Sequence, residues 1–476
     1  MSNEDVKNGL LNNMNLDDSD GLINDDKQKS KIKKSLLIII AFALISLILI
    51  IIIYFFFVKP NSNNYIIAKY YLESPNNETK IFEYSFLSSI KSIKINGQSA
   101  NIDNYQNFNK EGNHSIELQF KNELTSLDCL FFKVIYLTEV DLSNLKSIKI
   151  ESASDMFNGC SNLRKINFNN FITSKIFNIS NMLAGCFSLT SINLSIFNHD
   201  KLKDIYGLFS GCKKLSKINF DNFNTKNVVN MSNLFSNCHS LKEINLNNLI
   251  TDKVIDMSNM FYGCSSLISI NLDNFKTSNV NDMFGMFDGC KSIQNLSLNS
   301  FNTKKVENMY FMFADCISLN SLNIQSFDTS NVIDMYGMFK NCRSFEYINI
   351  SHFDISKVED MGSLFSNCTL LKEINLDNLN SEKMVYIAGM FENCSSLTSI
   401  NLSSFRTKVL VDASYLLNEC KNLKYIDFSQ FDTSKLKYYN NIFNGLPDNG
   451  TLKYNKKIFM DNLVKLLPNN WKLDNI

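Results

Sequence analysis

Residues 264–290 read CSSLISINLDNFKTSNVNDMFGMFDGC, and the rest of the chain repeats this stretch. Eleven of the twelve cysteines recur at a constant interval of 26 residues without any insertion: Cys160, Cys186, Cys212, Cys238, Cys264, Cys290, Cys316, Cys342, Cys368, Cys394 and Cys420. Val134 and Leu446 continue the phase by one step at either end. Such self-similarity predicts a solenoid of about twelve coils, because one repeat cannot bury its apolar face alone.

Two periodicities alternate within each repeat. The alternation in Ile270–Leu272 predicts a short strand with its polar residue facing outward. Met283, Met286, Phe287 and Cys290 then follow at the i, i+3, i+4, i+7 spacing, which predicts a short amphipathic helix. The fold class is therefore α/β, a leucine-rich-repeat solenoid. Its strands form a continuous parallel face, and short helices lie opposite.

Polar residues mark the two ends of the predicted helix. Asp282 precedes it as an N-cap, and Asp or Asn holds this place in most repeats. Gly289 precedes the cysteine, and Gly or Asn fills this slot in nine of the eleven cysteine repeats. Such residues favour the left-handed backbone that ends a helix.

The repeats resemble a known family. Segments such as FKTSNVNDMFGMFDGCKSIQNLSLNSFNT and FDTSNVIDMYGMFKNC are similar to the 26-residue branch of BspA-like leucine-rich-repeat surface proteins. The flanking GNHSIELQFKNELTSL and GTLKYN resemble family caps. The resemblance implies a solenoid with a parallel strand face, display at the cell surface and, for some members, adhesion to host proteins or cells. The anchor departs from the bacterial members, which favours the branch found in protists.

A single apolar segment precedes the repeats. Residues 36–58 carry no charge and are long enough to cross a bilayer as a helix. Five lysines lie between residues 27 and 34, whereas only Lys59 and Lys69 follow closely. The positive-inside rule therefore predicts a single-pass type II protein whose repeats are extracellular or lumenal. A cleaved signal peptide is the alternative, but Lys59–Asn61 offers no small-residue cleavage site.

Six regions follow from these patterns. We expect a disordered cytosolic tail (1–34), a transmembrane helix (35–58), a stalk (59–75), a β-rich N-terminal cap (76–123), the repeats (124–446) and a C-terminal cap (447–476).

Composition argues against several functions. Forty-seven basic and 47 acidic residues leave no basic excess for nucleic acid. No C-x-x-C motif occurs and the four histidines share no repeat phase, so neither a metal site nor another cofactor is expected. The cysteine column has three interpretations: metal ligands, disulfides, or buried thiols that pack the core, and the last is favoured. With no catalytic constellation in the sequence, we expect a protein that is not an enzyme.

Ligand contacts are expected on the strand face. The outward position of the strands is mostly Asn. This column is interpreted either as a polar binding surface or as an amide ladder, in which the side chains hydrogen-bond from one coil to the next. Residues that break the repeat there are the candidate ligand-binding residues: Glu243, Tyr347, Glu373 and Tyr425. The opposite side shows no aromatic cluster in the sequence pattern.

Eleven N-x-S/T sequons follow the apolar segment, and the best candidates for glycosylation are Asn77, Asn113 and Asn449. We expect a surface binding or adhesion protein that recognises an extracellular protein or glycan. The alternative is a structural coat protein that associates with copies of itself.

Overall fold

The structure, a computed structural model, describes residues 21–53, 64–377, 379 and 382–476. These residues belong to two compact units, Met1–Asn63 and Asn64–Ile476, which are considered separately.

The described residues of the first unit form a long helix, α1 (Gly21–Ile53). Within it, Lys33–Ile50 is long and apolar enough to cross a membrane. The expectation of disorder is wrong for residues 21–34, which belong to this helix. Extending an existing helix is far less costly than nucleating one, so the apolar segment carries the polar residues before it into the helix. Residues 1–20 and 54–58 of the predicted tail and membrane segment lie outside the described residues.

The second unit begins with an antiparallel cap. Its strands are β1 (Tyr65–Leu72), β2 (Asn76–Lys80), β3 (Ile90–Ile95), β4 (Gln98–Ala100), β5 (Tyr105–Phe108) and β6 (Gly112–Phe120). A 3₁₀ turn, Tyr84–Ser89, precedes β3. Strand β1 pairs with β6 along its whole length and also with β7 (Leu137–Asp141), the first strand of the solenoid. The cap sheet therefore continues into the repeats.

The expected stalk is wrong from Tyr65 onward. Every second side chain of β1 is buried, from Ile66 to Leu72, with Ala68 and Tyr70 between them. This is the two-residue period of a strand with one face on a core. Although β1 contains tyrosines and a lysine, Tyr70 buries its ring and donates its hydroxyl to the carbonyl of Ile81 at 2.6 Å.

Short parallel strands follow at the repeat period. They are β8 (Lys165–Asn167), β9 (Ser191–Asn193), β10 (Lys217–Asn219), β11 (Asn295–Ser297), β12 (Ser321–Asn323), β13 (Tyr347–Asn349), β14 (Glu373–Asn375), β15 (Ser399–Asn401) and β16 (Tyr425–Phe428). Their register pairs residues 26 apart, as in Ile348 with Ile374.

The strands do not form the continuous sheet that we expected. They pair two by two, β9 with β10, β11 with β12 and β13 with β14, and residues 243–245 and 269–271 form no strand. In the core, phenylalanines of successive coils stack with ring centroids 5.4–5.7 Å apart. Phe261 and Phe287 stack at 5.5 Å where the strands are unpaired, and Phe287 and Phe313 stack at 5.7 Å where β11 pairs with β12. The spacing of the core rings therefore does not decide which strands pair.

The predicted short helices are wrong. Residues 283–290 form consecutive turns that bond to the next coil: the amide of Met283 donates to the carbonyl of Asn308, and that of Phe287 to Met312. The residues before these turns form a ladder of parallel bridges, here called the turn ladder: Ser126, Ser152, Asn178, Asp204, Asn230, Asp256, Asp282, Asn308, Asp334, Asp360, Tyr386, Asp412 and Tyr438. This ladder is the continuous hydrogen-bonded edge of the solenoid.

Backbone conformation explains why turns replace the helix. The slot before each cysteine has a positive φ as predicted, 74° at Gly289, and even Asp315 and Glu419 adopt it. A second left-handed residue, which the sequence pattern did not indicate, lies four positions earlier, as at Gly285 (φ 54°). An α-helix of L-residues does not accommodate left-handed residues at this spacing. Asp282 caps a turn and not a helix, since its Oδ1 accepts the amide of Phe284 at 2.8 Å.

The cysteine column lies in the core. All twelve thiols are free, and the eleven in phase are buried. Each of those eleven donates to a backbone carbonyl of the preceding coil at 2.9–3.3 Å. Burial raises the pKa of Cys264 to about 12. These thiols are therefore neutral core residues, as the buried-thiol interpretation predicts, with a hydrogen bond that it had not included.

The C-terminal end is closed by β17 (Asn449–Tyr454), α2 (Asp461–Val464) and β18 (Asn470–Asn475). The two strands extend the sheet of β15 and β16. Trp471 is buried and its indole donates to the carbonyl of Pro447 at 2.8 Å. The predicted C-terminal cap over residues 447–476 thus consists of two strands and a single helical turn.

Candidate ligand-binding surface

The outward residues of the short strands form one surface, here called the strand face. In β13, Ile348 points into the core, whereas Tyr347 is 55% exposed. The first and third residues of each strand therefore supply the strand face, as the two-residue period requires.

The asparagines of the strand face hold turns. Asn271 accepts the amide of Asp273 on its Oδ1 at 2.8 Å, and Asn245 accepts that of Asn247 at 3.0 Å in the same way. Among the described residues, one side-chain amide of this column donates to the equivalent position of the preceding strand, Asn167 to Asp141 at 3.1 Å. The coil-to-coil amide ladder is therefore wrong for the column as a whole, because the side-chain carbonyl is used within its own coil.

Three adjoining grooves run along the strand face of the N-terminal half. The first two, each about 390 Å³, share Lys165 in their lining. The third, about 630 Å³, shares Lys217 with the second and also contains Glu243. Its apolar lining includes Ile244 and Ile270, which are half-buried where the strands are unpaired. The interruption of the sheet therefore coincides with the largest groove.

A basic group that the sequence analysis missed lines these grooves. Arg164, Lys165 and Lys217 are exposed, and none forms a salt bridge with a described carboxylate. The signal was present in the repeat alignment, because Lys165 and Lys217 occupy the same position as Glu243 and Tyr347.

The four predicted residues all lie on the strand face but not together. Tyr347 and Glu373 are register partners on β13 and β14, so their side chains are neighbours. Tyr425 begins β16, two coils farther along. Glu243 lies four coils before Tyr347 and belongs to the largest groove.

Tyr425 is held by a small polar network. Its hydroxyl donates to Asp427 Oδ2 at 3.4 Å, and Lys453 Nζ donates to the same oxygen at 3.1 Å. Burial raises the pKa of Asp427, but hydrogen bonds from Ser429 and Lys453 outweigh it, so the net pKa of this carboxyl is lowered. Burial and the neighbouring Asp427 carboxylate raise the pKa of Tyr425. The ring is therefore a neutral, oriented contact surface.

Two of the predicted glycosylation residues are exposed: Asn113 in β6 and Asn449 at the start of β17. The side chain of Asn77 lies outside the described residues. Within the part of the chain that the structure describes, no three His, Cys, Asp or Glu side chains come together as metal ligands.

Two protein-family models match the repeat region of the chain. A family model described as "Mycoplasma protein of unknown function, DUF285" matches residues 125–248, 192–269, 255–369 and 344–455, which together run from 125 to 455. A second model, the BspA type leucine rich repeat region, matches six copies within residues 63–183. The chain belongs to the BspA-like leucine-rich-repeat family. In this family member the second match begins at the cap, so the repeat signature extends into the antiparallel sheet.

No match was found among curated proteins. Among solved structures, the crystal structure of a TLR13–ssRNA13 complex is similar at 16% identity with a TM-score of 0.22. The likeness covers 66% of this BspA-like chain and 52% of that chain, so it spans about half of the latter.

Proposed function

We propose that this protein is a surface-displayed binding or adhesion protein that recognises proteins or glycans through its strand face. The observation that carries the proposal is the row of adjoining grooves with Arg164, Lys165 and Lys217 beside them. Exposed cations without salt bridges attract ligands with anionic groups. The exposed asparagine amides and the half-buried isoleucines add polar and apolar contacts to the same surface.

The proposed placement is single-pass type II, with the repeats extracellular or lumenal. The support for it is the apolar helix and the lysines that precede its membrane-length window. Protease added to intact cells is then expected to degrade the repeats and to spare a tag placed before Met1.

Binding is tested with the full-length chain in nanodiscs. An array of matrix proteins and of neutral and acidic glycans is probed with the wild type and with a variant carrying Arg164→Glu, Lys165→Glu and Lys217→Glu. We expect saturable binding that falls by tenfold or more in this variant and weakens with salt. Lys304→Glu with Lys305→Glu, a charge reversal at two exposed positions outside the strand face, serves as the control.

The coat alternative gives a different result. A protein that shields the membrane by lateral packing would self-associate with rising surface density and bind no array component. That outcome, or equal binding by both charge-reversed variants, would overturn the proposal.

A further inference from the structure

A group of aromatic side chains lies beside the turn ladder, away from the strand face. Phe284, Tyr310 and Tyr336 occupy the same position in three successive coils. Their ring centroids are 5.4 Å and 5.1 Å apart, and the rings of Tyr310 and Tyr336 are nearly parallel. Phe311 adds a fourth ring, edge-on to Tyr310 at 4.3 Å. The expectation of no aromatic cluster on this side is therefore wrong.

The cluster lies at the surface and not in the core. All four rings are half-exposed, whereas the phenylalanines of the stack inside the solenoid are buried. Four half-exposed aromatic rings in contact form an apolar patch of the kind that marks interaction sites.

Phe311 is held in an unfavourable backbone conformation. Its φ is 56°, in the left-handed region, at a position where other coils mostly have Gly or Asn. A bulky side chain there costs free energy, and such strain is characteristic of functional sites. Its ring also fills the space above Gly337, where a Cβ atom would collide with it. Core packing does not explain the aromatic residue, because the ring is not in the core.

Acidic side chains line the aromatic cluster. Asp334 and Asp360 of the turn ladder precede Tyr336 and Gly362 by two residues, and each accepts the amide of that residue, at 2.8 Å and 2.7 Å. Neither carboxylate forms a salt bridge with a described lysine, arginine or histidine. The ring of Tyr336 leans over Gly362, close to the Asp360 carboxylate.

A cation of the protein itself lies beside the aromatic cluster. Lys340 Nζ lies 5.7 Å from the centroid of the Phe311 ring. Aromatic faces attract ammonium and guanidinium groups, and unpaired carboxylates beside them add charge attraction. Among the residues that the structure describes, no lysine or arginine lies over the rings of Tyr310 and Tyr336 or pairs with the two aspartates.

We propose that the surface formed by Phe284, Tyr310, Phe311, Tyr336, Asp334 and Asp360 is a second binding site, which docks an arginine- or lysine-bearing segment of a partner protein. A guanidinium or ammonium group stacks against the tyrosines and pairs with the aspartates. The strand face differs from this site in its charged groups, because its grooves contain Arg164, Lys165 and Lys217 beside Glu243.

The probe is a short fluorescein-labelled peptide of alternating glycine and arginine, and the control peptide has glutamine in place of arginine. The full-length chain in non-ionic detergent is titrated against each by fluorescence anisotropy. We expect the arginine peptide to bind and the glutamine peptide to bind at least tenfold more weakly. Asp334→Asn with Asp360→Asn should weaken arginine-peptide binding about tenfold. This variant keeps the turn, because asparagine occupies the turn ladder at Asn230 and Asn308.

Two further variants separate binding from folding. Asp256→Asn makes the same change in the turn ladder at a coil where Ser232 and Ser258 occupy the positions that the aromatic residues hold in the cluster. It should leave peptide binding unchanged. Phe311→Asn should raise the melting temperature, since it relieves the strain, and yet weaken binding of the arginine peptide. Equal binding of both peptides, loss of binding in Asp256→Asn, or full binding by Phe311→Asn would overturn the proposal.

Discussion

The thiol of Cys290 donates a hydrogen bond to the backbone carbonyl of Phe261, 3.2 Å away in the preceding coil. The contact joins two coils through side chain and backbone without a covalent bond. It explains why the position is cysteine in eleven coils, since a purely apolar residue of similar size leaves that carbonyl without this donor.

The free thiols lead to a prediction about reactivity. Burial raises the pKa of buried thiols such as Cys264 to about 12, so they are protonated at pH 8 and shielded from reagents. We expect a maleimide to modify at most Cys129 in the native chain and all twelve thiols after denaturation. Mass spectrometry counts the adducts. Reductant should leave the circular dichroism spectrum and melting temperature unchanged, and a collapse of the spectrum would mean that disulfides hold the coils together.

The turn ladder predicts an unusual pH dependence at Asp360. Burial and the nearby Asp334 and Asp412 raise the pKa of Asp360 to about 6. The folded state therefore holds the proton more tightly than the unfolded state, so this group's contribution to stability is highest at low pH and is lost as the pH rises towards 6. Asp360→Asn should stabilise the protein by about 1 kcal/mol at pH 7, after allowance for solvent screening, and by little below pH 4.

Asp328 provides the opposite control. Hydrogen bonds from the hydroxyl and amide of Ser330 lower the pKa of this exposed carboxyl. Asp328→Asn should therefore destabilise the protein at neutral pH, and the difference should shrink as the pH falls. Melting curves from pH 4 to 8 measure both variants. If both substitutions stabilised the protein at neutral pH, or both destabilised it, the opposite pKa shifts assigned to Asp360 and Asp328 would be contradicted.

Buried threonines predict a loss of stability on removal of one hydroxyl. Thr277 Oγ1 donates to the carbonyl of Asn302 at 2.9 Å and accepts its amide at 2.8 Å. Thr277→Val should cost about 1–3 kcal/mol because both backbone groups lose their partner. Thr277→Ser keeps the hydroxyl and should cost less. Denaturant unfolding measures the change, and equal costs for valine and serine would show that the methyl group matters more than the hydrogen bonds.

Alanine substitutions of the predicted contact residues test whether the strand face binds the ligand. Tyr347→Ala, Glu373→Ala and Tyr425→Ala together should weaken ligand binding, by about tenfold, without lowering the melting temperature, because these side chains are exposed. Lys304→Ala with Lys305→Ala is the control. Full binding by the triple variant, with loss in the lysine variant, would move the site off the strand face.

The predicted topology is tested on intact cells. Because the lysines between residues 27 and 34 outnumber those that follow the apolar segment, external protease should remove an epitope after Ile476 and spare one before Met1. Permeabilised cells, in which both epitopes become accessible, provide the control. Protection of the C-terminal epitope with loss of the N-terminal one would reverse the orientation.

The constant spacing from Cys160 to Cys420 was enough to derive the solenoid, the number of coils and the inward columns. Burial of apolar side chains repeats with the coil, so a period in sequence translates directly into a period in space. The positive φ at Gly289 could also be predicted from the sequence, because glycine and asparagine tolerate a positive φ that other residues avoid. The candidate residues Tyr347 and Tyr425 were also placed correctly on the strand face.

The choice between helix and turns required the tertiary structure. Met283, Met286, Phe287 and Cys290 have the spacing of a helical stripe, and two consecutive turns bury the same positions. The hydrogen-bond acceptor of the Met283 amide distinguishes a helix from these turns. That acceptor is the carbonyl of Asn308, 25 residues away, which no local sequence pattern indicates. The pairing of the strands and the contact of Phe311 with Tyr336 likewise join residues of different coils, so the sequence of one repeat does not determine them.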